Sequence, residues 1–236
     1  PNDFIFADGF ESGGLHGWSS SVGGGDLSVN ANAALAGGYG LRITVSNSTA
    51  SREIINDSPA NEPRYRARFY FDPNSISIAN GNAHYIFYGY TSNSLAAFQI
   101  EFGRSSGGSY QIRARARDDG TTYLASNWFI ITDAPHFIEF DWRAATAAGA
   151  NNGGLTLWID GAQQADLTGI DNDTRRIDRA RLGAVSGLDT GNSGSYYFDA
   201  FESRRQTYIG SGTALPDAIF ADGFEADSPG ISTFSA

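Results

Sequence analysis

The chain has 236 residues and a formal net charge of −10, it contains no Cys or Met, and its 16 basic residues are all Arg. Lack of Cys removes disulfides, zinc-thiolate centres and thiol catalysis together, and the acidic balance argues against nucleic-acid binding, which needs a basic footprint. A hydrophobic content of 41% with 13% aromatics is ample for a packed core and argues against global disorder, while no stretch reaches the roughly 18 apolar residues of a membrane span.

The chain starts at Pro1 rather than Met and reads as a processed product, exported to the extracellular space or cell surface after loss of a signal peptide. Its first element is the phrase at 3–12, DFIFADGFES, with a strand over 4–7 and a turn at Asp8-Gly9. Further strands are expected over 40–45, 64–71, 84–90, 96–102, 110–117, 128–132, 137–142, 155–159, 179–185 and 195–201. Short turn clusters separate them, such as Ser-Gly-Gly at 106–108, Asp-Asp-Gly at 118–120 and Asn-Asn-Gly-Gly at 151–154. No segment sustains a helical period with caps. The expected fold is all-β, a two-sheet jelly-roll sandwich, with one domain over 1–206.

Alternation divides several strands into an apolar and a charged face. In 64–71, Tyr65, Ala67, Phe69 and Phe71 oppose Arg64, Arg66, Arg68 and Tyr70. In 110–117, Ile112, Ala114 and Ala116 oppose Arg113, Arg115 and Arg117. If both strands lie in one sheet, Arg66, Arg68, Arg113 and Arg115 form a basic stripe beside Tyr70, His84, Tyr88 and Tyr90. Guanidinium forks pair with carboxylate or sulfate and aromatic faces stack on sugar rings, so such a stripe suits an anionic polysaccharide. A plainer reading competes with it: Glu101, Glu139 and Asp141 interleave with the arginines as cross-strand salt bridges. Among the tryptophans, Trp142 alternates with core residues and reads as core, and Trp128 is the best candidate for an exposed sugar platform.

After the domain, 207–216 (TYIGSGTALP) reads as a flexible linker. The tail at 217–236 then opens on DAIFADGFEA, which matches 3–12 at eight of ten positions. A separation of about 200 residues is no solenoid period, since those recur every roughly 20–50. The tail has three readings: the silent start of a lost domain, a sorting signal, or a strand that docks on a neighbouring copy through Ile219, Phe220 and Phe224. The last would build a filament head to tail.

Three segments carry a family resemblance: the opening FADGFESGGLHGWS, the stretch at 137–161 ending in LTLWIDG, and RIDRARLGAV followed by YYFDAFESRR. In this order they resemble the concanavalin A-like, laminin-G-like jelly-roll domains of bacterial extracellular proteins. The resemblance implies glycan binding or adhesion, and in a minority of members hydrolase or lyase activity. It also implies a structural calcium held by Asp8, Glu11 and Asp199, hard oxygen ligands of the type this ion takes; the alternative is an ordinary turn at Asp8-Gly9 with Glu11 facing solvent. The acidic run Asp171-Asn172-Asp173, with Asp166 and Asp178 nearby, lacks the layout of a twelve-residue calcium loop and reads as an acidic loop. Catalysis is not expected. Glycoside cleavage needs paired carboxylates about 5–9 Å apart, the Glu-x-Asp-x-x-Glu run of glucanases is missing, and His16, His84 and His136 are scattered. The expectation is therefore a non-catalytic module whose partner is a polysaccharide or cell-surface glycan, with assembly through the tail as the alternative.

Overall fold

The computed structural model describes residues 2–212 and the backbone of 219–220. The first strands are β1 (Phe4–Asp8), β2 (Ser20–Val22), β3 (Leu27–Asn30), β4 (Gly40–Ser46), β5 (Arg52–Asn56) and β6 (Arg64–Asp72). A meander follows, made of β7 (Ala83–Tyr90), β8 (Ala96–Arg104), β9 (Tyr110–Arg117), β10 (Tyr123–Ala125) and β11 (Phe129–Ile130). The chain then forms β12 (His136–Arg143), β13 (Gly153–Ile159), β14 (Ala162–Ile170), β15 (Arg179–Ser186), β16 (Ser193–Arg204) and β17 (Ile219–Phe220). Among the described residues no helix is long and apolar enough to cross a membrane.

Two antiparallel sheets divide these strands. Sheet A runs β14-β13-β12-β6-β16-β1-β17, with β4 also on β16 and β3 on β4; sheet B runs β10-β9-β8-β7-β15-β5-β2, with β11 on β9. The all-β sandwich is as expected. The strands that sequence periodicity passes over are short or one-sidedly polar: β5 opens on Arg52-Glu53, and β14 leaves most of its side chains in solvent, so neither shows clean alternation.

The interior is aromatic. Phe87 lies 4.6 Å from Phe140, Phe71 lies 4.8 Å from Phe102, and Phe69 packs edge-on to both Phe140 and Phe198. Phe69, Phe87, Phe98, Phe140 and Trp142 are fully buried. Offset and edge-to-face ring contacts add to the burial of area itself. Close approach at one crossing depends on Gly183, whose φ of 134° and lack of Cβ let β15 pass β5; a Cβ there would stand 2.4 Å from the Arg52 carbonyl oxygen.

The meander decides where the charges go. Strands β7, β8 and β9 are joined by hairpins within sheet B, whereas β6 pairs with β12 and β16 in sheet A. The expected single stripe of Arg66, Arg68, Arg113 and Arg115 is thus corrected: the two pairs occupy opposite outer faces of the sandwich.

A second correction concerns the segment after the last long strand. Residues 207–212 do not hang free; they strap across the outer face of sheet A. The Asp3 carboxylate accepts from Gln206 N at 2.7 Å, and Glu139 accepts from Ile209 N at 3.0 Å and Gly210 N at 2.8 Å. Tyr70 donates to the Gly212 carbonyl at 3.3 Å. Beyond it, the repeated phrase returns to its own chain: β17 pairs antiparallel with β1, Phe6 opposite Phe220 and Ala7 opposite Ile219. Strand one keeps its place, and the second copy adds beside it. Phe224 lies outside the described residues.

Phe69 touches both sheets through its ring neighbours, so Phe69→Ala is expected to lower unfolding free energy by about 3–5 kcal/mol through lost burial and a cavity that rigid strands cannot close. Urea denaturation followed by tryptophan fluorescence reads this directly, and a loss below about 1 kcal/mol contradicts the assigned packing.

Candidate functional site

On sheet A most of the charged face is paired within the protein. Arg66 bridges Glu139 (2.7 Å) and Asp141 (3.0 Å), and Arg64 pairs with Asp141 at 2.7 Å. The Arg66 side chain is 6% exposed and that of Arg68 0%. Tyr208 from the strap packs on Trp158 with ring centres 5.7 Å apart, and the Arg66 guanidinium lies over both rings. Arg68 has lost its water without full compensation: Nη2 reaches Glu202 at 3.4 Å and the guanidinium lies over the Tyr70 ring, while Nε and Nη1 have no hydrogen-bond partner among the described residues. Burial pushes its pKa below the usual arginine value. The salt-bridge reading of the sequence therefore describes this face, and Arg66 and Arg68 are sealed from any polymer in solution.

Sheet B presents the opposite arrangement. Strand β9 alternates cleanly, with Ile112, Ala114 and Ala116 inside and Arg113, Arg115 and Arg117 outside. The side chains of Arg113 and Arg115 are 27% and 23% exposed. Register places Arg115 opposite Gln99, Gln99 opposite Tyr88 and Tyr88 opposite Arg181. One row thus crosses four strands, about 14 Å at the usual strand spacing. A parallel row carries Arg113, Glu101 and Tyr85.

A bulge in β7 sets the tyrosines. Register slips between Tyr85 and Phe87, so the strand changes face there, as any one-residue slip requires. His84, which shares parity with Tyr88 and Tyr90 in the sequence, turns into the core. It stacks against Tyr196 at 5.7 Å, and burial lowers its pKa to about 4. Tyr85 takes the outer position instead. Tyr85, Tyr88 and Tyr90 form a file with ring centres 5.1 and 5.2 Å apart.

Guanidinium and aromatic groups interleave over this face. Arg113 lies over the Trp128 ring at 4.4 Å, Arg115 over Tyr123 at 4.8 Å and Arg181 over Tyr90 at 4.7 Å. Glu101 pairs with Arg113, and Glu53 pairs with Arg181 at 2.8 Å. Four guanidinium groups (Arg113, Arg115, Arg117 and Arg181) therefore share the face with Glu101 and Glu53, a local positive excess on a chain of net charge −10. Arg115 Nε, Arg181 Nε, Gln99 Oε1 and Glu53 Oε2 have no hydrogen-bond partner. Burial raises the pKa of Tyr85, Tyr88 and Tyr90 above the usual phenol value. They act as neutral hydroxyls here. Trp128 is half-buried beneath Arg113, so its accessible part is an edge rather than an open platform.

Sequence reading finds Tyr88, Tyr90, Arg113, Arg115 and Trp128 but passes over Tyr85, Gln99, Tyr123 and Arg181. The signal for two of these is in the alternation: Gln99 sits between Phe98 and Ile100, and Arg181 between Ala180 and Leu182. Tyr85 has no such signal, because only the bulge brings it outward.

The carboxylates named for calcium hold backbone. Asp8 accepts from Phe10 N at 2.7 Å, which fixes Phe10 at φ 60° and lets its ring stack on Trp18. Glu11 accepts from Gly38 N and Tyr39 N. Asp199 accepts from Leu35 N, Ala36 N and Ala200 N at 2.7, 2.8 and 2.6 Å. Glu11 and Asp199 thus clamp the 35–39 loop through N–H groups, while Asp8 holds the turn at Phe10. Among the described residues the acids that do converge are Asp119, Asp171 and Asp173, within 4.8 Å. Asp166 and Asp178 instead bond Thr156 and Asn61 N. Arg175 draws the carbonyls of Asp118, Asp119 and Gly120 around its own guanidinium, which supplies positive charge to that loop from within.

No protein-family profile matches this chain, and no curated protein does. Among solved structures, an alginate lyase superposes with a TM-score of 0.61 at 11% identity, over 88% of this chain and 95% of its own. The cellulose-induced protein Cip1 gives 0.61 at 15% identity, over 87% and 99%. A botulinum neurotoxin serotype D ligand-binding domain, solved with N-acetylneuraminic acid, gives 0.55 at 12% identity; 88% of this chain covers 48% of that one. The fold is one that carbohydrate-processing and carbohydrate-binding proteins share.

Burial dominates the Asp199 carboxyl and, with a smaller repulsion from Glu11, raises its pKa from 3.8 to about 6 despite the three amide donors. A raised acid favours the fold when protonated, so its stabilising contribution is complete below about pH 4 and is lost as pH rises through 6. Carbon-13 carboxyl titration is expected to show a midpoint near 6 without divalent cation. A midpoint that calcium moves down would instead reveal an ion at Asp8, Glu11 and Asp199.

Proposed function

We propose that the outer face of sheet B binds an acidic polysaccharide rich in uronate carboxylates, and that it does so without cleaving the chain. The observation that carries this reading is the row whose ends, Arg115 and Arg181, stand 23% and 25% exposed on either side of the buried Gln99 and Tyr88, flanked by Tyr85, Tyr90, Tyr123 and Trp128. Arginine forks match carboxylates in pairs, and the neighbouring rings supply flat apolar surface for sugar faces. The Arg113, Arg115 and Arg181 side chains keep 27%, 23% and 25% of their surface exposed, which leaves guanidinium edges accessible to the carboxylates of a polymer. Open, shallow and several strands wide, the face suits an extended chain more than a small molecule. Such polymers are met outside the cell, in line with an exported protein.

Eliminative cleavage is the second reading, favoured by Tyr85, whose hydroxyl accepts from Arg115 Nη1 at 2.5 Å; the alginate lyase among the structural neighbours makes it worth a direct assay. Elimination asks for a base that removes the proton beside the carboxylate. Tyr85 is a poor one, because burial holds its proton. His84 is in the core and His136 is bonded to Asp160 and Thr132 at the other sheet. Binding without turnover fits these groups better.

Alginate and other polyuronates are expected to retard the protein in affinity electrophoresis more than neutral glucans do, with retention falling as salt rises. Arg115→Ala should weaken binding about tenfold or more, since one charge-assisted hydrogen bond is worth about 1.5–3 kcal/mol. Arg42→Ala, on the other sheet, should change nothing. Unchanged retention in an Arg115→Ala, Tyr88→Ala double variant would remove this face as the binding site, and release of unsaturated uronate products would replace the binding reading with the lyase one.

A further inference from the structure

The edge of sheet A holds a symmetry that the glycan reading leaves unused. Strand β1 binds β16 along one side, and among the described residues its other side meets only β17. In the repeat, Asp217 corresponds to Asp3, so Ile219 and Phe220 are the counterparts of Ile5 and Phe6. The observed register sets Phe6 opposite Phe220 and Ala7 opposite Ile219. Phe6 therefore faces its own counterpart, and Ala7 faces the counterpart of Ile5.

Antiparallel pairing of like strands centred on one residue is symmetric about a local two-fold. A register that suits β1 with β17 consequently suits β1 with another β1, each Phe6 opposite the other and each Ile5 opposite Ala7. We propose that the outer edge of β1 is a docking surface for β1 of a second copy of this chain, and that the repeated phrase occupies this edge in cis. Main-chain hydrogen bonds would supply the affinity, as in other strand additions, and the repeated IFAD side-chain pattern would supply the fit.

The contact is isologous, so it closes as a pair and gives no open filament. This differs from head-to-tail assembly by a displaced first strand, because β1 stays in its own sheet. Tethering explains why the cis copy prevails. Few residues separate Gly212 from Ile219, and a short connection holds the second phrase at an effective concentration in the millimolar range. A free partner at ordinary concentration competes only after the cap is lost. An uncapped edge with unpaired N–H and C=O groups is a template for pairing.

The test uses the full chain in two variants, Ile219→Pro and Phe220→Pro. Adjacent strand residues direct their N–H groups to opposite sides, so one variant must remove a donor aimed at β1, and proline disfavours pairing at either place. Thermal unfolding of both variants should match the wild type, which reports an intact sandwich. In sedimentation equilibrium the wild type is expected to be monomeric, and at least one variant should approach twice the monomer mass as concentration rises. A synthetic peptide of residues 217–226 should return that variant to monomer. Variants that stay monomeric overturn the proposal, as does a dimer indifferent to the peptide or a wild type that dimerises as strongly as the variants.

Discussion

The shared interior of the two sheets is the constraint on which everything else rests. Phe69, Phe87, Phe98, Phe140 and Trp142 fill a layer that admits no charge, so every ionised side chain on a strand must reach one of two outer faces. Period-two alternation does this automatically while the strand stays regular. Where a strand carries a bulge, the requirement is met by a change of face, and the side chains after it trade places. The β7 bulge buries His84 and presents Tyr85, and the β16 irregularity at Asp199, where Ala200 takes a φ of 47°, sends Phe198 and Phe201 both to the core.

The two outer faces solve one electrostatic problem differently. On sheet A, Glu139 and Asp141 stand in register beside Arg68 and Arg66, and the strap supplies further N–H donors, so charges are neutralised within the protein. Such buried pairs are weak contributors to stability, because removing two ions from water costs about what their attraction returns. Their effect is to fix register and to seat the strap. On sheet B fewer acids face the arginines, and aromatic rings rather than carboxylates occupy the space between them. Guanidinium groups over ring faces keep part of their hydrogen-bonding capacity directed outward. One face is closed by the chain's own groups, and the arginines of the other stay partly open to solvent.

The opening phrase gains a physical account from the same geometry. Ile5 and Phe6 are core residues of β1, Asp8 caps the turn by accepting from Phe10 N, Phe10 inserts beside Trp18, and Glu11 ties down the 35–39 loop. Five of the seven letters of IFADGFE thus have an assigned place in the first copy. In the second copy, the part whose backbone is described pairs with the first, which turns a repetition in sequence into a contact in space.

Alternation, turn residues and composition were enough to specify the all-β sandwich, the core character of Trp142, and the outward direction of Arg113, Arg115 and their neighbours, because these depend only on residues two apart. The sequence by itself also displayed the repeated phrase. It did not settle which sheet each charged strand joins, since pairing of β6 with β12 and β16 is a contact between distant residues. Arg66 and Arg113 look alike along the chain, yet one is sealed under residues 207–212 and the other is open. Nor did it reveal the β7 bulge, because a one-residue slip leaves no mark in composition. The fold class is a local property of this sequence; the site is a property of register, and register is decided only when the sheets close on their core.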